Sequence, residues 1–421
     1  MTTPTPTPPG PPLSPKSAAA GETLRVLVCD DSAFMRKAIS QMIASDPSLI
    51  VVDTARNGQE AVEKAKKHAP DVITLDIEMP IMNGHQALAA IRRECKDNPG
   101  GPPAVLICSS LTSAGSHDAL QAMREGAADI IAKDHSTFSV HIDDMKTDLI
   151  RKIKAIGSSR IRRAAWKAAY AAGNGAEGET RPAQPGGLPA PRPRTPGFAL
   201  AAQHAAANAA AAAMMDLRAM SLAGRRVDLI VIGSSTGGPP VLEQILSKLP
   251  PSLPCPVVVA QHMPASFTKA MSERIDAMSA VSVVHGEHGM PLHPGSVYII
   301  PGAKHGRVRA IGPGPVRLEV SDDPLSAPFK PSVNELLSSA ARQCGKNVVG
   351  VVLTGIGEDG KVGGQELRAA GGLLLAQDPG TSVVYGMPKA AAEVGGTSMT
   401  PDQIAQTLAS LVAGASSRAA A

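Results

Sequence analysis

Short apolar runs alternate with helical patterns along two stretches of this chain. In the first stretch, runs rich in Val, Ile and Leu are typical of buried strands, and the residues between them follow the spacing of amphipathic helices. The predicted strands span residues 24–29, 50–55, 72–75, 104–108 and 129–132, and the predicted helices span residues 33–45, 59–68, 85–94 and 116–126. Strands that alternate with helices predict a doubly wound parallel sheet, in which ligands bind at the carboxyl ends of the strands.

The second stretch repeats this pattern after residue 226. Its predicted strands span residues 227–232, 256–260, 281–284, 297–300, 347–354 and 373–377, with a hairpin at 307–320 and helices at 241–248, 332–343, 388–393 and 401–411. We therefore expect an α/β chain with two doubly wound parallel-sheet domains, at residues 23–145 and 224–415.

The segments outside the two predicted domains have a different composition. Residues 1–22 are rich in Pro, Thr and Ala, which predicts a disordered tail. Residues 142–170 predict a last helix that runs on into a basic extension. With the Ala/Pro/Gly-rich stretch that follows, residues 146–223 predict a basic extension and a long flexible linker.

The net charge of +4 hides an uneven distribution. Residues 151–226 carry thirteen Lys/Arg and three Asp/Glu residues, a net charge of +10, so the rest of the chain has a net charge of about −6. We place the basic excess in the connecting segment and not on the folded domains. Charge alone could give this segment a non-specific affinity for nucleic acid. No zinc finger, zipper or helix-turn-helix pattern accompanies it, and we expect no nucleic-acid partner.

Cysteine usage and hydropathy predict the cellular setting. The five cysteines form neither a CxxC motif nor a Cys/His cluster, which predicts a reducing compartment without disulfides or a zinc site. The N-terminus lacks the pattern of a signal peptide, and no apolar run reaches membrane-spanning length. We expect a cytoplasmic monomer that does not insert into a membrane.

Polar residues stand at the ends of four strands in the first stretch. Asp30 and Asp31 follow the first strand, Asp76 follows the third, Ser109 the fourth and Lys133 the fifth. Carboxylates that converge on one rim repel each other unless a hard cation lies between them, and Mg²⁺ is the usual one. The hydroxyl and the ammonium group could then bind the oxygens of a phosphoryl group on Asp76. Solvated strand-end acids are the alternative for each residue taken alone.

This stretch resembles the receiver domain of bacterial response regulators, which has a flavodoxin-like fold. The resemblance is carried by residues 29–36 and 71–84, together with Ser109 and Lys133. It implies that Asp76 accepts a phosphoryl group from a chemotaxis histidine kinase. It also implies a Mg²⁺ site.

In that implied site, Asp31, Asp76 and the backbone carbonyl of Glu78 hold the ion, and Asp30 assists. One departure from the receiver pattern is Asp134, which stands where a proline usually follows the lysine.

The second stretch places a serine in a sharp turn between a strand and a helix. Ser235 follows the apolar run 227–232, and Pro239 and Pro240 suit the first turn of the next helix. Such a turn directs free backbone N–H groups and the positive end of a helix dipole towards one point. A phosphate-binding glycine turn is the alternative, although neither GxGxxG nor Gly-Lys-Ser/Thr occurs here.

A candidate base and a candidate acid follow the carboxyl ends of two other predicted strands. His262 follows the strand 256–260, and Asp359 follows the strand 347–354. A neutral imidazole can take the proton of a serine hydroxyl during attack, and a carboxylate can orient the imidazole. The alternatives are a structural role for His262 and a turn or cap role for Asp359. Other candidate bases follow no apolar strand directly, and they are His285, His288, His293 and His305.

Three further segments resemble the catalytic domain of the protein-glutamate methylesterases of bacterial chemotaxis, a Rossmann-like domain. They are residues 232–238, 261–264 and 353–360. The resemblance implies the roles of the site residues: nucleophile Ser235, base His262, orienting acid Asp359, and oxyanion-loop support from Thr236 and Ile356. The implied substrates are γ-methyl esters of glutamate on methyl-accepting chemoreceptors, with methanol released and no cofactor required. Deamidation of receptor glutamines needs the same intermediate.

Two departures from the methylesterase pattern lie beside the predicted acid. Ile356 replaces the usual methionine, and Glu358 replaces the usual asparagine and adds a negative charge next to the predicted triad. Together the two resemblances predict a serine esterase that phosphorylation activates. The alternative is a non-catalytic two-domain regulator whose second half binds a protein partner.

Overall fold

The structure is a computed structural model, and it describes residues 23–98, 100–133, 142–174, 225–310, 314–324 and 327–419. The predicted N-terminal tail, Asp134 and the part of the predicted linker at residues 175–223 lie outside the described residues.

The first domain is a five-stranded sheet flanked by helices. Its strands are β1 (Leu24–Cys29), β2 (Leu49–Ala55), β3 (Val72–Asp76), β4 (Ala104–Ser110) and β5 (Asp129–Lys133). Its helices are α1 (Ala33–Ala44), α2 (Gly58–His68), α3 (Gly84–Glu94), α4 (Ser113–Arg124) and α5 (Ile142–Asn174). The strand order is β2-β1-β3-β4-β5, and every pair is parallel, which confirms the predicted doubly wound sheet.

Local capping residues explain where the helices of this domain begin. The side chains of Ser32, Asn57 and Asn83 accept hydrogen bonds from the first turns of α1, α2 and α3. Thr112 does the same for α4, because its hydroxyl accepts the N–H of Gly115 at 3.0 Å. The helix therefore begins at Ser113, three residues before the predicted start at residue 116.

Helix α5 crosses the predicted domain boundary at residue 145. Beyond that residue, Leu149, Ile153 and Ile156 are fully or almost fully buried in the core of the first domain. The helix also carries basic residues that form ion pairs, such as Lys152 with Asp129 at 3.3 Å. Part of the basic excess that we assigned to the connecting segment therefore belongs to a folded helix.

The second domain is a seven-stranded parallel sheet with a separate hairpin. The sheet strands are β6 (Leu229–Ser234), β7 (Val257–Gln261), β8 (Ser282–His285), β9 (Ser296–Ile299), β12 (Val348–Val352), β13 (Leu373–Gln377) and β14 (Thr397–Met399), and the hairpin strands are β10 (His305–Arg309) and β11 (Arg317–Ser321). Its helices are α6 (Gly238–Leu246), α7 (Ala265–Met278), α8 (Val333–Cys344), α9 (Lys361–Ala369), α10 (Met387–Glu393) and α11 (Pro401–Ala419), with a 3-10 turn at Gly345–Asn347. The sheet order is β14-β13-β12-β6-β7-β9-β8.

Three of these elements were absent from the sequence-based prediction: α7, α9 and β14. Helix α7 did carry a signal, because its buried residues Phe267, Met271 and Ile275 are spaced four apart. Helix α9 contains Gly363 and Gly364, which weaken the helical pattern. Strand β14 has only three residues.

The order of the central strands determines which loops meet. Strand β6 lies between β12 and β7, with Gly233 paired to Val352 and Ser234 paired to Gln261. Because all three strands are parallel, the loops that follow them lie side by side at one edge of the sheet.

In the part of the chain that the structure describes, no helix is long and apolar enough to cross a membrane.

Candidate active site

The loop that follows β6 places Ser235 at the carboxyl edge of the sheet. Ser235 is buried, and its N–H donates to the carbonyl of Thr354, which follows β12, at 3.0 Å. Gly237 makes the sharp turn into α6 with φ of 76°, and a side chain there would meet Val383 at 2.4 Å. The backbone of the serine loop is thus held by the neighbouring strand and has little room to move.

The imidazole of His262 is bound through one nitrogen. Its Nε2 lies 2.9 Å from Oδ2 of Asp359, and both side chains are buried. The backbone N–H of His262 donates to the carbonyl of Ser234 at 3.0 Å, so the base is tied to the residue before Ser235. Its Nδ1 is buried and has no hydrogen-bond partner among the described residues. This bonding assigns the proton to Nε2 and leaves Nδ1 as the nitrogen that can accept one.

The Asp359 carboxylate lies at the N-terminus of α8. Besides His262, it accepts the N–H groups of Val333 and Asn334, both at 2.8 Å, and the hydroxyl of Ser332 at 3.2 Å. Burial opposes its ionisation, but these hydrogen bonds outweigh burial and hold the pKa of the carboxyl below its usual value. The acid therefore faces the imidazole as a carboxylate.

Two backbone N–H groups in the loops after β6 and β12 have no described acceptor, and they belong to the residues predicted to support an oxyanion. The N–H groups of Thr236 and Ile356 donate to no acceptor among the residues that the structure describes. The hydroxyl of Thr354 donates to the carbonyl of Thr236 at 2.8 Å, which fixes the loop that carries the first of them. Donors that are preorganised in this way stabilise the negative oxygen of a tetrahedral intermediate.

Two residues that support the site were given no role by the sequence-based reasoning. Gln261 accepts the hydroxyl of Ser234 at 2.5 Å and donates to the carbonyl of Ser235 at 2.9 Å, so it joins the loops after β6 and β7. The ring of Phe329 stacks on His262 with a centroid distance of 4.7 Å and an interplanar angle of 15°. A sequence signal existed for Gln261, which precedes His262, but no periodic pattern marks Phe329.

The four other candidate bases have different surroundings. His285 does end a strand, β8, contrary to our expectation, but its Nε2 lies 3.1 Å from the hydroxyl of Thr268. His305 is buried, and its Nδ1 accepts the N–H of Ser332. Among the described residues, none of the four forms an ion pair with an acid, and the set is His285, His288, His293 and His305.

The side chain of Glu358, the residue before the predicted acid, faces solvent. Its side chain is 71% exposed and lies 3.7 Å from the ammonium group of Lys361. The additional negative charge therefore projects into solvent and is partly paired.

The predicted phosphorylation residues meet in one pocket of the first domain. Carboxylate oxygens of Asp30, Asp31 and Asp76 lie within 4.8 Å of one another. Lys133 pairs with Asp30 at 2.7 Å and with Asp76 at 2.8 Å. Burial raises the pKa of Asp76, although the Lys133 charge opposes this. Ser109 and Glu78 line the same pocket, and such a set of hard oxygen ligands fits Mg²⁺.

Thr236, Phe329 and Ile356 of the second domain form what we call the mouth of the site, and all three contact the first domain. The hydroxyl of Thr236 donates to Asp129 of β5 at 2.5 Å, and the guanidinium carbon of Arg151 on α5 lies 5.1 Å above the ring of Phe329. The side chain of Ile356 packs against the apolar core of the first domain.

A second set of contacts joins the two domains away from the mouth. The buried carboxylate of Glu243 on α6 pairs with Arg274 at 2.8 Å and with Arg124 of α4 at 3.2 Å. Arg274 also donates to Gln121 of α4 at 2.9 Å. The ion pairs therefore involve both domains.

Comparison with known proteins decides the family. Residues 26–141 match the response regulator receiver domain, and residues 230–408 match the CheB methylesterase. A protein-glutamate methylesterase/protein-glutamine glutaminase of Oleidesulfovibrio alaskensis is 44% identical over 374 residues, which cover 88% of this chain and 94% of that relative. This chain belongs to that methylesterase family. Both resemblances drawn from the sequence, and the prediction of an enzyme of this family, are thereby confirmed.

Other members of the methylesterase family are similar over the same extent. A protein of the same designation from Vibrio cholerae is 37% identical over 378 residues, which cover 88% of this chain and 94% of the relative. Among solved structures, the CheB methylesterase catalytic domain of Thermotoga maritima is 37% identical, with a TM-score of 0.43, and the match covers 44% of this chain and 98% of that domain.

Proposed function

We propose that this chain hydrolyses γ-methyl esters of glutamate on chemoreceptors and that phosphorylation of Asp76 activates it. The 2.9 Å bond between His262 and Asp359, next to the Ser235 loop, is the observation that carries the proposal. The names of its relatives supply the substrate class, and they support deamidation of receptor glutamines as a second activity.

The esterase reaction proceeds through an acyl-enzyme. The Ser235 oxygen attacks the ester carbonyl carbon while Nδ1 of His262 takes its proton. The free N–H groups of Thr236 and Ile356 bind the resulting oxyanion. The imidazolium then protonates the leaving oxygen, methanol departs, and the bond between carbonyl carbon and methoxy oxygen breaks. Water attacks the acyl group with the same base and releases the glutamate carboxylate, whereas a glutamine substrate releases ammonia in place of methanol.

This mechanism exchanges the usual roles of the two imidazole nitrogens. In the familiar serine protease triad, Nδ1 faces the aspartate and Nε2 faces the serine. Here Nε2 of His262 is bonded to Asp359, so Nδ1 is the base. The stacked ring of Phe329 restrains rotation of the imidazole and supports this orientation.

The receiver domain supplies the switch. Asp76 accepts the phosphoryl group from a chemotaxis histidine kinase, and Lys133 and Ser109 bind the transferred oxygens. Asp30, Asp31, Asp76 and the carbonyl of Glu78 would hold Mg²⁺, which neutralises phosphoryl charge when bound. Phosphorylation adds about −1.5 to −2 charges at Asp76. The resulting change of the receiver surface weakens its contacts with Thr236 and Phe329 and opens the site.

The test is methanol release from a methylated receptor, with and without acetyl phosphate. Ser235→Ala abolishes release, because no other group is placed as the nucleophile. Asp76→Asn retains a low basal rate that acetyl phosphate does not raise. Normal turnover by Ser235→Ala would refute the mechanism. A wild type that releases no methanol and is not labelled by a serine-reactive probe would favour a non-catalytic output module.

A further inference from the structure

Asp129 of the receiver brings a carboxylate into the mouth of the active site. Its Oδ2 accepts the hydroxyl of Thr236 at 2.5 Å, and both residues are buried. Thr236 directly follows Ser235, and its N–H is one of the two free donors of the site. A docked domain that only covered the cleft would need no acid here, because burying a carboxylate is costly unless it is well bonded.

The surroundings of Asp129 hold this carboxylate in place. Its Oδ1 accepts the N–H of Ile130 at 2.8 Å, and the ammonium group of Lys152 lies 3.3 Å from Oδ2. Lys152 is itself anchored by Asp148 at 3.5 Å. The receiver thus presents a prebuilt, charged hydrogen-bond acceptor whose only described partner in the second domain is the hydroxyl of Thr236.

The proposed reaction defines which chemical group normally binds next to the Thr236 hydroxyl. Its substrate is a γ-carboxyl ester, and its product is a γ-carboxylate attached to a short side chain. Asp129 presents the same group on a side chain that is one methylene shorter than that of glutamate. We propose that Asp129 is an internal mimic of the product. Its carboxylate accepts the hydrogen bond of the Thr236 hydroxyl, which otherwise binds the carboxyl group of the substrate or product.

A second contact at the mouth agrees with this role. Arg151, on the helix next to β5, lies above Phe329, whose ring stacks on His262. The receiver therefore engages both sides of the proposed machinery, the residue after the nucleophile and the residue that restrains the base. This inference rests on the proposed esterase function and specifies how the receiver inhibits it.

The decisive measurement is the rate at which a small fluorophosphonate labels Ser235 in the full-length protein. Without acetyl phosphate, Asp129→Asn raises this rate about ten-fold or more over wild type, because a neutral amide with a single accepting oxygen binds the Thr236 hydroxyl more weakly than the carboxylate does. With acetyl phosphate and Mg²⁺, the variant and the wild type are labelled at equal rates. Unchanged labelling of Asp129→Asn overturns the inference. Failure to label any form overturns both the inference and the proposed nucleophile, whereas labelling without methanol release counts against the proposed substrate alone.

A matched control separates mimicry from simple docking. Arg124→Gln weakens the receiver contact at Glu243 and leaves the mouth contacts in place. It therefore raises labelling less than Asp129→Asn does, and an equal or larger rise contradicts the special role of Asp129. In a Thr236→Val background the effect of Asp129→Asn disappears, because the shared hydrogen bond is already absent. Melting curves verify that each variant is folded.

Product competition provides an independent readout. A receptor peptide that carries an unmethylated glutamate slows labelling of unphosphorylated Asp129→Asn, because the Thr236 hydroxyl is then accessible to its carboxylate. The same peptide has little effect on the unphosphorylated wild type, in which Asp129 occupies that hydroxyl. Equal competition in the two proteins rules out the mimic.

Discussion

The Asp359 carboxylate depends on more than the imidazole beside it. Its two oxygens accept four hydrogen bonds, from Ser332, Val333, Asn334 and His262. Because two donors are N–H groups in the first turn of α8, the helix terminus favours the anion. The Asp359 carboxylate thus anchors the start of α8 and bonds to the imidazole of His262 at the same time.

Asp359→Asn should impair both stability and catalysis. An amide has one accepting oxygen, so its NH₂ group must face either His262 or the N–H groups of α8. We expect a loss of about 1–3 kcal/mol in the free energy of unfolding at pH 7 and a fall in kcat of up to roughly 10⁴-fold. Urea unfolding and methanol release measure the two effects. A variant with normal kcat would contradict the role of Asp359.

The difference in unfolding free energy between wild type and Asp359→Asn depends on pH with a definite sign. The pKa of Asp359 is lower in the folded protein than in the unfolded chain, so its stabilising effect is complete above the unfolded value of about 3.9. The effect is lost as the pH falls through the lower folded value. The difference in unfolding free energy between wild type and Asp359→Asn is therefore constant from about pH 7 to 5 and narrows below about pH 4. A difference that widens on acidification would contradict this sign.

Helices α8 and α9 converge on the acid through one asparagine. The N–H of Asn334 donates to Asp359, and its side-chain oxygen accepts the N–H groups of Gly360 at 3.0 Å and Gly363 at 2.9 Å. Gly360 and Gly363 belong to the N-terminal turn of α9. One side chain therefore fixes the starts of both helices against the loop that carries the acid.

Asn334→Ala should lower kcat more than it raises KM, because it acts on the orientation of Asp359 and not on the substrate. It also leaves two backbone N–H groups without their acceptor, at a cost of about 1–3 kcal/mol. Asn347→Ala is the matched control, since Asn347 bonds to Asp228 at the amino edge of the sheet, far along β12 from the site. The control loses stability but keeps kcat, as steady-state kinetics and urea unfolding of both variants would reveal. Equal kinetic defects in both variants would mean that the fall in kcat follows from lost stability and not from the orientation of Asp359.

The two domains are held together by charge as well as by packing. Glu243 is buried at their boundary, and burial raises the pKa of its carboxyl, although Arg274 and Arg124 oppose this. The pairing joins α6 and α7 of the catalytic domain to α4 of the receiver. The receiver is therefore kept over the site by contacts that do not touch the reacting residues.

Arg124→Glu should separate the domains without a phosphoryl group. It places a second carboxylate next to buried Glu243, and like charges at such a site repel strongly. We expect basal methanol release to rise several-fold towards the acetyl phosphate-stimulated rate, which itself stays unchanged. Lys67→Glu is the control, because Lys67 is exposed on α2, which lies outside the α4–α6–α7 interface that holds Glu243. A basal rate that rises equally in the control would point to net charge and not to this interface.

Most strands and helices were predicted correctly, because apolar residues recur along the chain with the period of a strand or of a helix. The strands around Ser235 and His262 were recognised from their apolar residues, and their loops follow from the parallel sheet. The predicted start of α4 was wrong, because the cap formed by Thr112 begins the helix three residues early. The last helix predicted at residues 142–170 is present as α5, and Leu149 and Ile153 of this helix are buried by the sheet.

The sequence by itself determined the two α/β domains, the strand-end positions of the site residues and, through long motifs, the family. These features depend on residues that are near one another along the chain. Only the tertiary structure decided that Nε2 of His262 faces Asp359, that α8 stabilises the acid, and that Asp129 reaches Thr236. Each of these contacts joins residues that are 26 to 107 positions apart, so its geometry depends on how several elements pack and not on any local pattern.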